Sequence, residues 1–148
     1  MHGEQMAEEF PVVSLDDDAL EAVRLLATQR LPGLIVTRPD GSPYAVLPAS
    51  QVVRFLVPSY VQDDPSLARV IDEPLADRVA DKLGGLSVRK LLPDEPREIP
   101  VVAYDDTLLE IAAIMARLRC PLVAVVRDQQ IIGAITASRL LELAVTTH

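Results

Sequence analysis

Aromatic residues, cysteine and long apolar runs are scarce in this sequence of 148 residues. Only 3% of the residues are aromatic and tryptophan is absent, so the hydrophobic core must be built from aliphatic side chains. The one cysteine, Cys120, cannot form a disulfide within the chain, which fits a reducing compartment. No uncharged apolar run approaches the roughly 20 residues that span a bilayer, and the acidic start lacks the apolar segment of a signal peptide. We therefore expect a cytoplasmic protein without a membrane span.

Groups that support catalysis are also scarce. The two histidines, His2 and His148, stand at opposite ends of the sequence, and neither is near Cys120. The Gly84-Gly85 pair lacks the flanking residues of a phosphate-binding loop. These gaps predict a protein that is not an enzyme, and they favour an inert buried thiol over a nucleophile at Cys120. The formal charge of −8 disfavours nucleic acid as a partner, because its phosphates would be repelled.

The sequence does contain an internal duplication. Residues 100–143 have the pattern of a strand, a helix, two strands and a second helix. A similar segment lies 89 positions upstream, where Pro11 matches Pro100. The same offset pairs Val12-Val13 with Val101-Val102, Asp16-Asp17 with Asp105-Asp106, Leu20-Glu21 with Leu109-Glu110, and Pro32 with Pro121. The offset falls to 88 after the hairpin turn, where a one-residue insertion does least harm.

This duplication predicts an α/β (α+β) fold of two β-α-β-β-α repeats packed with pseudo-twofold symmetry. The expected boundaries are an arm or short helix at 1–9, the first repeat at 10–56, a helical bridge at 57–98 and the second repeat at 99–145. Within the bridge, residues 65–72 and 75–83 have helical patterns, and the apolar stripe favours packing on the chain's own domain over binding a partner. Aspartates 16–18 are interpreted as a helix cap rather than metal ligands, because no calcium-loop spacing follows.

Two repeats packed in this way leave a cleft on each side of their junction, and clefts are frequent small-molecule sites. The second-repeat cleft is predicted to be lined by Cys120, Pro121, Leu122, Val123, Thr136, Ser138 and Arg139. The first-repeat cleft, a weaker candidate, is predicted to be lined by Leu31, Pro32, Gly33, Leu34 and Gln51. The hydroxyl of Thr136, free helix amides and the cation of Arg139 would together suit an anion such as phosphate. The alternative is that Thr136 is only a helix cap and Arg139 a surface charge.

The order of these motifs resembles a tandem pair of cystathionine-β-synthase (CBS) domains, the Bateman module. The resemblance rests on Asp105-Asp106-Thr107-Leu108-Leu109-Glu110 as the helix start, Arg119-Cys120-Pro121-Leu122-Val123-Ala124-Val125 as the proline-led strand, and Ile132-Gly133-Ala134-Ile135-Thr136 as the glycine–threonine step. It covers residues 10–56 and 99–145. The resemblance implies a regulatory module that binds adenosine-containing ligands, such as AMP or ATP, in its clefts and that commonly dimerises.

The sequence departs from that family where adenosine is bound. In adenosine-binding members, a Thr or Ser is followed three residues later by an Asp that holds the ribose hydroxyls. Here Arg139 stands in place of that Asp after Thr136, and the first repeat has Pro48 and Gln51. Without the carboxylate, a ribose would lose a hydrogen bond of order 1.5–3 kcal/mol. We therefore expect a nucleotide, or another small anion attracted by Arg139, at the second cleft rather than the first.

Two functions follow from this reasoning. The first is a regulatory or sensory module that forms a homodimer, responds to a small anionic ligand and has no certain cofactor. The alternative is a ligand-free dimerisation or interaction protein whose clefts are filled by side chains. In that alternative the bridge segment 65–92 would dock on a separate transporter or enzyme.

Overall fold

A computed structural model describes residues 1–66 and 75–146 of the chain. Its helices are α1 Gly3–Met6, α2 Ala19–Gln29, α3 Ala49–Leu56, α4 Ser59–Asp63, α5 Leu75–Leu83, α6 Leu108–Leu118 and α7 Ala137–Thr146. Its strands are β1 Val12–Ser14, β2 Gly33–Thr37, β3 Pro43–Pro48, β4 Val101–Ala103, β5 Leu122–Arg127 and β6 Gln130–Thr136. A short 3₁₀ helix covers Val88–Leu91. Most of the helix predicted at residues 65–72 lies outside the described residues, and so does His148.

The duplication is confirmed in the topology. Each repeat has a three-stranded sheet in which the first strand runs parallel to the second, and the second runs antiparallel to the third. The register is also repeated, because Val12 pairs with Ile35 as Val101 pairs with Ala124. Helices α2 and α6 both end at an arginine with positive φ. The chain therefore has the predicted α/β fold of two β-α-β-β-α units.

Side-chain caps fix the start of both long helices. The carboxylate of Asp18 accepts the backbone N–H of Glu21 at 3.1 Å, which leaves one fewer unpaired amide in the first turn of α2. Thr107 does the same for α6 by accepting the N–H of Glu110 at 3.3 Å. The capping interpretation of the aspartate run is thus confirmed at Asp18.

The first hairpin turn has the chemistry that its Asp-Gly sequence predicts. Gly41 has φ +90°, a conformation that a residue with a Cβ rarely adopts. The carboxylate of Asp40 accepts hydrogen bonds from the hydroxyl of Ser42 at 2.7 Å and its N–H at 2.9 Å. These hydrogen bonds hold the pKa of Asp40 below its usual value, because they stabilise the charged form.

Each repeat has its own aliphatic core, and a third cluster joins them. The first core includes Leu34, Val36 and Leu47, and the second includes Val102, Val123 and Ile135. The joining cluster consists of Ile35, Ile99, Leu122, Ala124 and Ala134, with Phe10, Val46 and Ile131 packed against it. Side chains on alternate positions of a strand point to opposite faces of its sheet. Each middle strand therefore contributes to its own core with one face and to the junction with the other.

The N-terminal arm, residues 2–8, packs on the second repeat. Its residues Gly3–Met6 form the short helix α1, which is one of the two alternatives expected from the sequence. Met6 is fully buried in the second core. The amides of Gly3 and Glu4 donate to the carbonyls of Asp106 and Tyr104, both at 2.8 Å.

The last part of the bridge packs on the first repeat in the same manner. Leu91 is fully buried in the first core, together with Leu83 and Val88. The amide of Val88 donates to the carbonyl of Asp17, which is the first-repeat counterpart of Asp106. The segment before each repeat therefore covers the other repeat, and residues 87–91, within the segment expected to be a helical bridge, are the counterpart of residues 2–6.

Candidate functional site

Two clefts open at the junction between the repeats. The first cleft is lined by residues 9–12, Gln29 and residues 131–133, and has a volume of about 540 Å³. The second cleft is lined by residues 97–100, Leu118 and Cys120, and has a volume of about 330 Å³. Residues 9–11 and Gln29 of the first cleft lie 89 positions before residues 98–100 and Leu118 of the second. The clefts are therefore pseudo-twofold counterparts, and both volumes lie within the ~300–1,000 Å³ usual for ligand pockets.

The strand start predicted for the second cleft is only partly at the surface of the cleft. Cys120 lines it, but the thiol is 4% exposed and donates to the carbonyl of Leu122 at 3.1 Å. The side chain of Leu122 packs in the cluster that joins the repeats, and that of Val123 packs in the second core. Neither of these two residues is among those that line the second cleft.

A backbone hydrogen bond joins the segment before β5 to the start of α7 in the second repeat. The amide of Ala137 donates to the carbonyl of Pro121 at 2.8 Å. Thr136 caps α7, since its hydroxyl accepts the N–H of Arg139 at 3.1 Å, and it lies 3.2 Å from the hydroxyl of Ser138. Pro121, Ala137, Cys120 and Arg119 also line a largely apolar groove of about 540 Å³ between α6 and α7.

Arg139 is paired with two carboxylates. Its Nη1 donates to Glu142 at 2.7 Å, and its Nε lies 3.7 Å from the carboxylate of Glu8 in the N-terminal arm. The Nε–H is buried without a hydrogen-bond partner. Since two negative charges already face the guanidinium, this arrangement favours the structural role of Thr136 and Arg139 over an anion site.

The residues predicted for the first cleft are held by their own repeat. Leu34 is fully buried in the first core. A Cβ on Gly33 would lie 2.9 Å from the carbonyl oxygen of Leu47, so the close approach of β3 requires a glycine there. The amide nitrogen of Gln51 donates to the carbonyl of Leu91 at 3.3 Å. The carbonyl of Pro32 accepts a hydrogen bond from the backbone N–H of Ala49, as the carbonyl of Pro121 does from that of Ala137. Leu31 is partly buried and packs against the first core.

Two charged residues of the second cleft were missed in the sequence. Nη2 of Arg97 donates to the carbonyls of Leu118 and Arg119, at 2.8 and 2.9 Å, at the C-terminal end of α6. A cation is favoured there, because the last carbonyls of a helix carry partial negative charge. Glu98 lines the same cleft. Both residues lie within the predicted bridge, although the 89-residue offset matches them with Glu8 and Glu9, just before the repeated proline.

Neither a metal-ligand cluster nor a membrane-spanning helix is found in the described ranges. Within residues 1–66 and 75–146, no three His, Cys, Asp or Glu side chains are grouped so as to hold a metal ion. None of the helices in these ranges combines the length and apolarity needed to cross a bilayer.

Comparisons with known proteins agree with this architecture. The CBS domain family profile matches residues 95–146. The crystal structure of a CBS domain-containing protein from Kribbella flavida DSM 17836 is 78% identical over 99% of both chains, with a TM-score of 0.95. The CBS domain of a membrane protein from Sphaerobacter thermophilus is 20% identical over 97% of this chain and 87% of that one, with a TM-score of 0.72. CBSX2, in a crystal structure of its complex with AMP, is 18% identical over 99% of this chain and 97% of that one, with a TM-score of 0.66. No curated protein gives a significant match.

Proposed function

We propose that this chain, which belongs to the CBS-domain proteins, is a non-catalytic regulatory module that binds an adenosine-containing nucleotide in its second cleft. The observation that carries the proposal is that Arg97 and Glu98, a cation and an anion, both line a cleft of about 330 Å³ at the repeat junction. AMP is bound by CBSX2, a protein of the same fold. That complex supports the class of ligand for this chain.

The second cleft offers a partner for each part of a nucleotide. The guanidinium of Arg97 would attract a phosphate, and a charge-assisted hydrogen bond of this kind is about twice as strong as a neutral one. The carboxylate of Glu98 would accept the ribose hydroxyls, which have no Asp to bind because Arg139 occupies that family position. Ile99, Pro100 and Leu118 provide apolar contact for the base.

The same cleft is placed to report on the arrangement of the repeats. The carbonyl of Arg97 accepts the amide of Val46, in the first repeat, at 3.0 Å, while its side chain binds the end of α6 in the second. A ligand on Arg97 would therefore contact a segment held by both repeats. It would act on a regulated partner only to the extent that it binds one arrangement more tightly than another.

Calorimetric titration of AMP and ATP into the dialysed protein tests this proposal. We expect binding that Arg97→Gln weakens about tenfold or more, because a hydrogen bond to a charged group is lost. Arg24→Gln is the matched control, since Arg24 is an exposed arginine that pairs with Glu21 within α2. Thermal unfolding of both variants would verify that they are folded. Absence of binding by the native protein, or equal binding by Arg97→Gln, would reject the proposal.

A second candidate function is homodimerisation with or without a ligand. It is favoured by exposed apolar side chains on α6 and α7, since Leu109, Leu141 and Val145 are 77%, 61% and 71% exposed. Leu141 lines the apolar groove, and helical spacing places Val145 on the same side of α7 as Leu141 and Leu109 on the same side of α6 as Ala112 and Ala116, which also line it. Clustered apolar exposure of this kind marks interaction surfaces. Docking of the bridge on a separate protein is less favoured. Leu83, Val88 and Leu91 of the bridge are buried in the first core, which leaves fewer apolar side chains there to contact another protein.

Light scattering during size-exclusion chromatography tests the dimer. We expect the native protein to elute as a dimer and Leu141→Asp as a monomer, because a charge at the centre of an apolar interface loses its hydration. Tyr60→Asp, on α4 and 55% exposed, is the control and should remain dimeric. A monomeric native protein would reject this candidate.

A further inference from the structure

We propose that the docking site of the N-terminal arm on the second repeat is a peptide-binding groove, which the chain's own residues 2–8 occupy in this structure. The partner that fits the groove is a short segment of a separate protein, with one long apolar side chain between two carboxylates. The arm then acts as a built-in competitor of that partner. This inference goes beyond the proposed function, because neither a nucleotide nor a homodimer enters it.

The groove holds the arm along the edge of a sheet. In the second sheet β6 is an outer strand, and β5 is its neighbour on one side. Glu8 adds to the other side as an antiparallel bridge, in which Glu8 and Ala134 exchange two backbone hydrogen bonds, at 2.9 and 3.0 Å. An open strand edge pairs readily with an extended segment of another chain, and backbone bonds then supply affinity. The edge of β6 is therefore a pairing site that the arm fills.

An apolar pocket in the second repeat supplies selectivity for one side chain. Met6 of the arm is fully buried in a cluster that includes Val102, Ile111 and Leu140. A long unbranched side chain suits such a pocket, because it can adopt the shape of an irregular cavity. A segment without an apolar side chain at this position would leave the pocket unfilled.

Two arginines of the second repeat pair with the carboxylates of the arm. Nη1 of Arg127 lies 3.4 Å from the carboxylate of Glu4, and Nε of Arg139 lies 3.7 Å from that of Glu8. Glu4 and Glu8 stand two residues before and two residues after Met6. Because a chain with a net charge of −8 repels acidic segments on average, these two cations make this groove the place where such a segment is accepted.

Two glycines allow the close approach of the arm to the second repeat. A Cβ on Gly133, in β6, would lie 2.7 Å from the carbonyl oxygen of Glu8. A Cβ on Gly3, in the arm, would lie 2.7 Å from the carbonyl oxygen of Ala103. Both distances are too short for a side chain, so the site is shaped to receive a peptide backbone.

The arm can leave the groove without separating the repeats. It precedes β1, and its ion pair with Arg127 is 54% exposed at the arginine and 44% at Glu4. Surface ion pairs of this kind are weak, so they favour an acidic segment without fixing the arm in place. The counterpart at the first sheet is the bridge between Glu98 and Ala45, and it lies on a segment that connects α5 to β4 and so holds both repeats. Of these two covered edges, that of β6 is the one that a partner can reach.

Nuclear magnetic resonance of the isotope-labelled full chain tests the proposal, with an unlabelled synthetic peptide of residues 2–9 as the probe. We expect the peptide to displace the arm, so that the amides of Gly3 and Glu8 lose their protection from hydrogen exchange. The amide of Ala134 should stay protected, because the peptide offers it the same carbonyl. Since a tethered arm competes at a high effective concentration, the peptide should bind at least about tenfold more tightly to Gly3→Ala, in which the arm docks less well.

The controls separate loss of the arm from loss of the groove. Gly84→Ala is the matched glycine control, because Gly84 follows α5 and its added Cβ would approach only the carbonyl of Ala80, at 3.0 Å. Its peptide affinity should equal that of the native chain. Glu4→Gln removes an ion pair of the arm without a steric change, so it is a second variant if Gly3→Ala does not fold. It should also tighten peptide binding. A peptide with Met6→Asp should bind at least about tenfold more weakly.

Four results would overturn the proposal. The first is equal peptide affinity of the native chain, Gly3→Ala and Glu4→Gln, and the second is equal affinity for the native and Met6→Asp peptides. The third is a set of peptide-induced shifts confined to the groove between α6 and α7. The fourth is contact between Met6 of one copy and the second core of another, in a mixture of labelled and unlabelled chains without peptide, which would make a second copy the occupant. Each result leaves AMP binding at Arg97 untouched, so this inference and the proposed function fail separately.

Discussion

Single side chains define where the long helices of both repeats begin. Asp18 and Thr107 occupy counterpart positions, 89 residues apart, and each accepts the amide three residues later. Different residue types thus provide the same hydrogen bond, because a carboxylate and a hydroxyl are both short acceptors suited to the N-cap position. These cap contacts are local in sequence. The ion pair of Arg139, in contrast, is with Glu8 near the other end of the chain.

Replacement of the cap should reduce stability measurably. We expect Asp18→Ala to lower the free energy of unfolding by about 1 kcal/mol, because an amide in the first turn of α2 loses its acceptor. Asp16→Ala provides the control within the same aspartate run. Its carboxylate pairs with Arg89 at 3.1 Å, and both side chains are more than half exposed, so its loss should cost less than about 0.5 kcal/mol. Urea denaturation would measure both, and equal losses would contradict the assignment of the cap.

At the scale of elements, the two repeats are joined by segments that cross to the opposite core. Met6 fills the second core from before the first repeat, and Leu91 fills the first core from before the second. Both side chains are fully buried, so each segment is part of a core rather than a surface connection. The crossing explains why the repeats are packed as one unit in spite of their separate cores.

Truncation of these two side chains tests the crossing. We expect Met6→Ala and Leu91→Ala each to cost about 2–5 kcal/mol, because each leaves a cavity in an aliphatic core. Val53→Ala, at a position 58% exposed on α3, should cost less than about 0.5 kcal/mol. Denaturant unfolding would give the three values. A loss for Met6→Ala no larger than that for Val53→Ala would mean that the arm is not seated in the second core.

The elements could be predicted from the sequence where the two copies share residues. The offset between Pro11 and Pro100, and the strand and helix periods that follow each proline, were sufficient for the fold. The crossing segments could not be predicted, because Met6 and Leu91 are 85 rather than 89 positions apart and their neighbours differ. Arg97 could not be identified as a cleft residue for a related reason, since the residue at the matching position of the first repeat is the acidic Glu8.

The contacts of the predicted binding residues could likewise be predicted only where they are local in sequence. Thr136 could be recognised as a cap from local spacing, and the structure bears this out. The pairing of Arg139 with Glu8, and of Gln51 with the carbonyl of Leu91, depends on segments distant in sequence. No local sequence pattern indicates such contacts. Whether these side chains are free to bind a ligand could therefore not be judged from the sequence.

In the molecule as a whole, the two repeats have a cleft lined by Arg97 and Glu98 on one side of the junction and, on the other, a cleft whose described lining includes Glu9 but no lysine or arginine. A net charge of −8 makes Arg97 important for any phosphate ligand, because the average field of the protein repels anions. The first and second clefts occupy equivalent positions in the two repeats, but their lining residues differ in charge.

The most direct test of the central claim is a crystal structure of the protein grown with AMP. We predict nucleotide density in the second cleft, with the phosphate against Arg97, the ribose against Glu98 and the base beside Ile99 and Leu118. Density for AMP in the groove between α6 and α7, or at the N-terminus of α7, would contradict the claim. Crystals grown at saturating AMP with the second cleft empty would contradict it equally.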